Sequence, residues 1–171
     1  MSTTETVGVV DGKRVMVTMP AAATLAGIDF TQREIQVMIG VVRGKTNAEI
    51  GAHIGLAEHT VKCYIRRVFK KAEVHDRASL VTWGYVNKVF QGMRPEPRKG
   101  TGVKLTDRER EITLLAVEGL TNAEIGRKLF LSEDTIKTHL RKTFKKVGAT
   151  SRSHLVALAF QRGWVPGEEK V

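Results

Sequence analysis

The chain has 171 residues and a formal net charge of +10 at pH 7, which suits one ordinary domain or two small ones and a polyanionic partner such as nucleic acid. Aromatic residues make up only 6% of the chain, too few for the stacking platforms that hold unpaired bases, and the single cysteine excludes an internal disulfide bond. The sequence contains no signal-peptide pattern and no apolar run of membrane-spanning length, so we expect a cytoplasmic protein without a membrane partner.

Residues 1–29 form an N-terminal arm that differs from the rest of the chain. In the stretch "VGVVDGKRVMVTM", the pair Asp11-Gly12 lies between β-branched runs, which predicts a β-hairpin with a type I′ turn. An isolated hairpin is barely stable in water, so we expect this one to pack on the following domain or on a partner subunit. A disordered tail is the alternative interpretation.

The remainder of the chain contains an internal repeat. A shift of 75 positions aligns residues 30–90 with 105–165 without a gap, and "TNAEIG" occurs in both copies, at 46–51 and 121–126. Repetition of this length indicates two domains in tandem. Residues 91–104 are rich in Gly and Pro and are interpreted as a linker, and residues 166–171 as a C-terminal tail.

Each repeat is predicted to form four helices. In the first repeat, capping boxes of the Thr-x-x-Glu type begin at Thr31 and Thr46. The second repeat has the same boxes at Thr106 and Thr121, and Ser132 and Ser151 are N-cap candidates for its last two helices. The predicted helices of the first repeat cover about 31–43, 46–55, 58–72 and 76–90, and the third helix of the second repeat ends near 147.

The third helix of each repeat has an apolar face and a basic face. Apolar residues recur at helical spacing, namely Val61, Ile65, Val68 and Phe69 in the first repeat and Ile136, Leu140, Phe144 and Val147 in the second. The opposite faces carry mostly lysine and arginine, which on a helix in the DNA major groove reach guanine O6 and N7. A basic face that serves only solubility is the alternative.

A glycine lies ten positions before the first apolar residue of each third helix. Gly51 precedes Val61 and Gly126 precedes Ile136, as expected where the two helices of a helix-turn-helix cross closely. Four residues after these glycines stand Gly55 and Phe130. Since Phe130 is not glycine, we predict that a positive φ is not essential at this turn.

The run "LTDREREITLLAVEGLTNAEIGRKLFLSEDTIKTHLRKTFKKVGATSRSHLVALA" resembles the DNA-binding domain of LuxR/GerE-type bacterial transcription regulators, and "FTQREIQVMIGVVRGKTNAEIGAHIGLAEHTVKCYIRRVFKKAEVHDRASLV" resembles it more loosely. The resemblance implies a mainly α fold, with two four-helix helix-turn-helix domains in tandem behind a short N-terminal β-hairpin. It also implies double-stranded DNA as the partner, a nucleoid-associated location and no cofactor.

The resemblance also implies which residues contact DNA. Those that read bases in the family correspond here to Lys62, Cys63, Arg66, Lys137, Thr138 and Arg141. Those that hold phosphates correspond to Thr46, Thr60, Arg67, Lys70, Thr121, Thr135, Lys142 and Lys145, and helix N-termini suit phosphates in any case.

The first repeat departs from the family pattern at three positions. Ala57 replaces a capping serine, Tyr64 replaces a histidine, and Cys63 stands at a base-facing position. The missing N-cap predicts a less stable recognition helix. Cys63 is either a small contact residue or, in the alternative interpretation, a redox-sensitive thiol.

The fourth helix of the first repeat is unusually apolar, which favours a contact with another domain or subunit over simple core packing. A homodimer through the fourth helices or the N-terminal hairpin is therefore one expectation. The leading hypothesis is a sequence-specific transcription regulator whose recognition helices enter successive major grooves. In the alternative, one repeat binds DNA and the other contacts a regulator or polymerase subunit. A third reading is a non-specific architectural protein, and neither a metal site nor an enzyme is expected.

Overall fold

The computed structural model describes residues 4–10, 13–19, 22–90, 93, 95, 100, 102 and 104–166. Four strands precede eight helices in this part of the chain. The strands are β1 (Thr4–Val10), β2 (Lys13–Met19), β3 (Ala22–Leu25) and β4 (Ile28–Thr31). The helices are α1 (Gln32–Val42), α2 (Asn47–Ile54), α3 (Glu58–Lys71), α4 (Arg77–Val86), α5 (Asp107–Val117), α6 (Asn122–Leu129), α7 (Glu133–Val147) and α8 (Arg152–Gln161). The fold is thus mainly helical, as predicted.

Strands β1 and β2 form the predicted N-terminal hairpin. They pair antiparallel, and the last pair, Val10 with Lys13, leaves a connection of two residues. That length is the one expected for a tight primed turn, although the predicted turn residues Asp11 and Gly12 lie outside the described residues. The expected packing of this hairpin on another surface stays a prediction.

Strands β3 and β4 form a second hairpin, which was not predicted. Its connecting residues, Ala26 and Gly27, have positive φ angles of 52° and 78°, as a two-residue primed turn requires. Alanine is an unusual residue in that conformation, so the pair Ala-Gly carried little turn signal. Strand β4 leads directly into α1, and its residue Phe30 is fully buried in the core of the first repeat.

Helix starts follow the predicted caps. In all four boxes, at Thr31, Thr46, Thr106 and Thr121, the threonine side chain accepts a hydrogen bond from the glutamate N–H, and that glutamate accepts one from the threonine N–H. Ser132 and Ser151 cap α7 and α8. Each box satisfies two backbone donors that a helix start leaves free.

The predicted end of the fourth helix was wrong. Helix α4 ends at Val86 rather than near Phe90, because Lys88 adopts a positive φ of 59°. The amides of Val89 and Phe90 then donate to the Gly84 carbonyl, and the Phe90 ring fills the space beside Gly84 where a Cβ would stand. The chain therefore folds back onto α4 instead of continuing it.

The two repeats pack directly against each other. Helix α8 lies against α5 and α7 of its own repeat and against α1 and α4 of the first, so residues 153–160 are buried on every side. The rings of Tyr85 and Phe160 stack across this contact at 4.7 Å between centroids. The apolar residues of the fourth helix thus serve a contact between repeats, which was one of the two expectations.

The segment that joins the repeats also packs on the protein. Pro95 is buried, and the Tyr85 hydroxyl donates a hydrogen bond of 3.2 Å to the Met93 carbonyl. Burial raises the pKa of Tyr85 to about 12. Contacts of the repeats with each other, rather than the length of this segment, therefore determine their spacing.

Candidate nucleic-acid interface

In each repeat, the third helix follows the second helix after a tight turn. A Cβ added at Gly126 would lie 2.5 Å from the carbonyl oxygen of Leu131, and one at Gly51 would meet that of Leu56. The closest neighbour of each glycine is the turn that follows. The recognition helix also lies in contact, with Val61 Cγ2 at 3.5 Å from the added Cβ at Gly51 and Glu133 N at 3.6 Å from that at Gly126, as the predicted close crossing requires. A larger residue here would push the turn outward and shift the start of the third helix.

The conformation of Phe130 contradicts the prediction that this turn does not require a positive φ. Phe130 ends α6 with φ 56° and ψ 42°, close to the φ 71° and ψ 39° of Gly55 at the end of α2. Both turns thus adopt the left-handed conformation, which is sterically costly for phenylalanine. The Phe130 side chain is 95% exposed, so no packing compensates for this cost.

Helix α3 separates its two faces as predicted. Val61, Ile65 and Val68 are buried, and Phe69 is half-buried against the same core. The basic side chains and the thiol of the helix lie on the outer surface, where all five predicted positions are exposed, namely Lys62, Cys63, Arg66, Arg67 and Lys70. The Arg67 guanidinium lies 5.4 Å from the centre of the Tyr64 ring.

Helix α7 repeats this arrangement. Its buried face holds Ile136, Leu140 and Val147, with Phe144 half-buried, and also Thr143, which was not predicted because a hydroxyl interrupts the apolar pattern. The outer face exposes Lys137, Thr138, Arg141, Lys142 and Lys145. Two solvent-facing basic surfaces of matching composition therefore project from equivalent positions of the two repeats.

The family can now be identified from sequence comparison. Residues 29–83 and 103–159 both match the family of bacterial regulatory proteins described as the luxR family. The chain belongs to this family. It carries two copies of the LuxR-type helix-turn-helix domain in tandem, each with its recognition helix exposed.

Several curated proteins share part of this sequence. A Mycobacterium bovis protein named as an HTH-type transcriptional regulator is 42% identical over 73 residues, which are 43% of this chain and 8% of that protein. The CsgBAC operon transcriptional regulatory protein of Escherichia coli is 47% identical over 55 residues, 32% of this chain and 26% of that protein. The transcriptional activator protein BjaR1 of Bradyrhizobium diazoefficiens is 39% identical over 66 residues, 39% of this chain and 27% of that protein.

The chain thus matches less than a third of the length of each of these relatives. No solved structure gives a significant match. None of the described helices is long and apolar enough to cross a membrane. Within the described residues, no group of three or more His, Cys, Asp or Glu side chains could hold a metal ion.

The two LuxR-type recognition helices begin differently. The Ser132 hydroxyl accepts a hydrogen bond of 3.1 Å from the amide of Thr135, whereas Ala57 makes no side-chain cap bond at the start of α3. The missing cap is as predicted. One backbone donor at the start of α3 therefore lacks the side-chain acceptor that its counterpart in α7 has.

The four threonines expected at phosphates lie at helix starts, but their hydroxyls already make bonds within the protein. Thr46 and Thr121 are exposed, and their hydroxyls accept from the amides of Glu49 and Glu124. Thr60 and Thr135 are half-buried; the Thr60 hydroxyl lies 3.3 Å from the His59 ring, and that of Thr135 lies 2.8 Å from the Ser132 hydroxyl. A phosphate contact by any of them stays a prediction.

Lys137 and Thr138, two of the residues predicted to read bases, are held by the first turn of α7. Lys137 pairs with Glu133 at 3.0 Å and with Asp134 at 3.3 Å, and hydrogen bonds to Glu133 and then Asp134 raise its pKa. The Thr138 hydroxyl donates to the Asp134 carbonyl at 2.9 Å. The two acidic residues also suit the positive end of the helix dipole.

In each repeat, one arginine holds the start of the second helix through hydrogen bonds. Sequence reasoning missed both of these arginines. The Arg77 guanidinium donates 2.6 Å hydrogen bonds to the Asn47 side chain and the Lys45 carbonyl. Arg152 makes the equivalent bonds to Asn122, at 3.0 Å, and to the Leu120 carbonyl. Burial lowers the pKa of both arginines. The signal that could have identified them is that the shift of 75 positions aligns Arg77 with Arg152.

Proposed function

We propose that this chain is a sequence-specific regulator of transcription that binds double-stranded DNA through α3 and α7. The observation that carries this proposal is the pair of exposed basic faces on the third helices of two LuxR-type domains. The names of the relatives, which describe transcriptional regulators, support it. We infer a role at bacterial DNA in the cytoplasm, without catalysis or a cofactor.

In this proposal some residues of each domain read bases and others contact phosphates. Lys62 and Arg66, with Lys137 and Arg141, donate hydrogen bonds to guanine O6 and N7. The remaining basic residues and the four threonines hold phosphates, which fixes the position of each helix but adds no sequence information. The working units are residues 30–90 and 105–165, joined by 91–104, with 1–29 and 166–171 outside them.

Removing one base-reading arginine from each repeat tests the proposal. DNA that the protein selects from a random pool would be footprinted with the wild type, Arg66→Ala, Arg141→Ala and the double variant. We expect each single change to weaken binding by about 1–3 kcal/mol and the double change to abolish protection. Arg110→Ala is a charge-matched control, because Arg110 is exposed on α5, outside the recognition faces. A double variant that protects the same bases would refute the assignment.

The alternative function assigns DNA binding to the second repeat alone. The missing cap at Ala57 favours it, since a recognition helix with a less stable first turn is less well fixed for base contacts. In that case α3 would contact a regulator or polymerase subunit. Arg66→Ala distinguishes the two functions, because under the alternative it leaves both the affinity for DNA and the salt dependence of binding unchanged.

A homodimer through the fourth helices would have to displace the internal contact between α4 and α8. We therefore propose the monomer as the DNA-binding unit, with the N-terminal hairpin as the remaining surface for self-association. Sedimentation of the full chain at micromolar concentration tests this. A stable dimer that persists after deletion of residues 1–21 would contradict it.

A further inference from the structure

The contact between the two repeats has approximate two-fold symmetry. The shift of 75 positions that aligns the repeats pairs Tyr85 with Phe160, and these two rings stack at 4.7 Å with their planes 6° apart. Helix α4, the fourth helix of the first repeat, packs against α8, the fourth helix of the second. Equivalent surfaces that contact each other define a two-fold axis, which here passes between Tyr85 and Phe160.

Helix packing on either side of this axis is reciprocal, although individual side-chain contacts differ. Helix α1 of the first repeat packs on α8, and its equivalent α5 packs on α4. The hydrogen bonds across the contact do not follow the symmetry. The Thr82 hydroxyl donates to the Val117 carbonyl at 2.9 Å on one side, and the Thr150 hydroxyl donates to the Gly44 carbonyl at 3.1 Å on the other, but the shift of 75 positions does not relate these pairs. Both acceptors lie at or just beyond the end of the first helix of a repeat.

The interface is closely packed, which fixes the orientation of the repeats. Gly44 has a positive φ of 78°, and the ring of His154 fills the space where its Cβ would stand. His154 is 1% exposed and Phe160 is 7% exposed. Close-packed interiors resist small displacements, so the two recognition helices form one rigid pair.

We infer that a single chain recognises two half-sites arranged as an inverted repeat, that the half-sites differ, and that the chain therefore binds in one orientation. This rests on the proposed function. A two-fold axis perpendicular to the DNA places the recognition helices in opposite directions along it, and operator symmetry follows protein symmetry. The order of the two domains along the chain does not by itself distinguish an inverted repeat from a direct repeat of the half-sites.

The predicted difference between the half-sites comes from one base-facing position. Lysine and arginine are shared at 62 and 137 and at 66 and 141, but Cys63 corresponds to Thr138. The Thr138 hydroxyl donates its hydrogen to the Asp134 carbonyl at 2.9 Å, so its oxygen remains an acceptor, and the exposed side chain also carries a methyl group. Such a group accepts from the amine of adenine or cytosine, or contacts the thymine methyl, whereas a thiol is only a weak donor.

The arrangement of the half-sites can be tested directly. Sites would be selected from random DNA with the full chain, and the two half-sites resynthesised as inverted and direct repeats at the selected spacing. We expect the inverted duplex to bind at least about 100-fold more tightly, because only there do both helices bind at once, with one chain per duplex. Equal or tighter binding to the direct repeat would overturn the inference but leave specific binding intact. Failure to select any sequence would refute the proposed function itself.

Exchange of the two residues tests the direction of binding. We expect Cys63→Thr with Thr138→Cys to interchange the preferred base pairs at one position of the two half-sites. A mismatch there costs about 5- to 100-fold in affinity. Thr138→Ser separates the two kinds of contact, because it keeps the hydroxyl and removes only the methyl group. Circular dichroism establishes that each variant is folded. An unchanged base preference after the exchange would overturn the role of these residues.

Discussion

Phe130 combines a costly backbone conformation with a fully solvated side chain. Its φ of 56° belongs to the left-handed region, which costs an L-residue about 1–2 kcal/mol, and its ring is 95% exposed. Gly55 occupies the same place in the first repeat, with nothing within 4 Å of where a Cβ would stand. The geometry of the turn is therefore imposed by the two helices, and the residue at its centre adapts to it.

Reciprocal substitutions at these two positions should have opposite effects on stability. We expect Phe130→Gly to raise the free energy of unfolding by up to about 1 kcal/mol, because relief of strain exceeds the added entropy of the unfolded chain. Gly55→Ala should lower it by about 1 kcal/mol. Chemical denaturation followed by circular dichroism measures both. A loss of stability in Phe130→Gly would reveal packing by the ring.

Sequence reasoning at the residue scale succeeded for the outer faces and failed at this turn. Exposure of Arg66 and Arg141 follows from helical periodicity alone, so it was predictable. The conformation of Phe130 was not, because residue type gives only a preference, and helix packing can override it. The same holds for Thr143, whose burial follows from its position on α7 rather than from its polarity.

The recognition helices differ in how they begin. Ser132 caps α7, whereas Ala57 provides no side-chain acceptor at the start of α3. The backbone of Ala57 is nonetheless in the extended conformation of an N-cap, with φ −68° and ψ 150°. A serine at this position would therefore place its hydroxyl to cap α3 without a change of the backbone.

A serine at position 57 should stabilise the first repeat. We expect Ala57→Ser to raise the free energy of unfolding by about 0.5–1 kcal/mol, because its hydroxyl would accept a hydrogen bond from the amide of Thr60, which otherwise donates to the Ala57 carbonyl at 3.0 Å. Ser132→Ala should cost a similar amount in the second repeat. Hydrogen exchange of the first turns of α3 and α7 localises each effect. Equal protection of α3 with and without the serine would contradict the prediction.

A buried carboxylate joins the first and third helices of each repeat. Glu109 accepts 2.7 Å and 2.8 Å hydrogen bonds from Lys146 and the amide of Thr106. Burial alone would raise its pKa, but the bonds from Lys146 and then Thr106 outweigh it and lower the pKa below the usual 4.5. Glu34 and Lys71 repeat the arrangement at 2.8 Å.

This carboxylate should make stability depend on pH. Because its folded pKa lies below the unfolded value, its contribution is complete above about pH 4.5 and disappears as the pH falls through the folded pKa. We expect Glu109→Gln to cost about 1–3 kcal/mol at pH 7 and to flatten the acid limb of the stability curve. Urea unfolding between pH 3 and 7 measures this. An acid limb identical to that of the wild type would exclude Glu109 as its source.

The elements with strong local signals were predictable, and those fixed by distant contacts were not. Capping boxes at Thr46 and Thr121 define helix starts through adjacent residues. The end of α4 depends on Phe90 folding back onto Gly84, which no local pattern encodes. Strand β4 escaped notice because it is short and continues directly into α1.

At the scale of the whole molecule, the two repeats are held in one relative orientation because the contact between them is too closely packed to accept a larger side chain. Gly44 and Gly119 are equivalent positions, and both have a positive φ, 78° and 88°. A Cβ at Gly44 would collide with the ring of His154, whereas one at Gly119 would meet nothing within 4 Å. The chain therefore contains its own control for this interface.

Alanine at these two positions should separate backbone strain from interface disruption. Gly119→Ala should cost about 1 kcal/mol of unfolding free energy from strain alone. We expect Gly44→Ala to cost at least about 1 kcal/mol more, because overpacking is added, and to make the two repeats unfold in separate steps. Calorimetry resolves the steps. Equal losses in the two variants would show that the contact tolerates expansion.

The apolar character of α4 indicated a contact, but its sequence could not identify the partner. Tyr85 suits a second subunit as well as a second repeat, and only the three-dimensional packing shows Phe160 opposite it. The near-complete burial of α8 likewise follows from the presence of the first repeat beside it.

Under the proposed function, the stacking of Tyr85 on Phe160 determines how the occupancy of DNA depends on the amount of the protein. Two separate subunits must meet before they occupy an operator, so at low levels their occupancy rises with the square of expression. When both helices belong to one polypeptide that binds as a monomer, as proposed here, occupancy rises in simple proportion to the number of molecules in the cell. Two domains in one chain would thus give a graded response to expression. A substitution in one recognition helix would also leave the other helix unchanged, whereas in a homodimer it would change both.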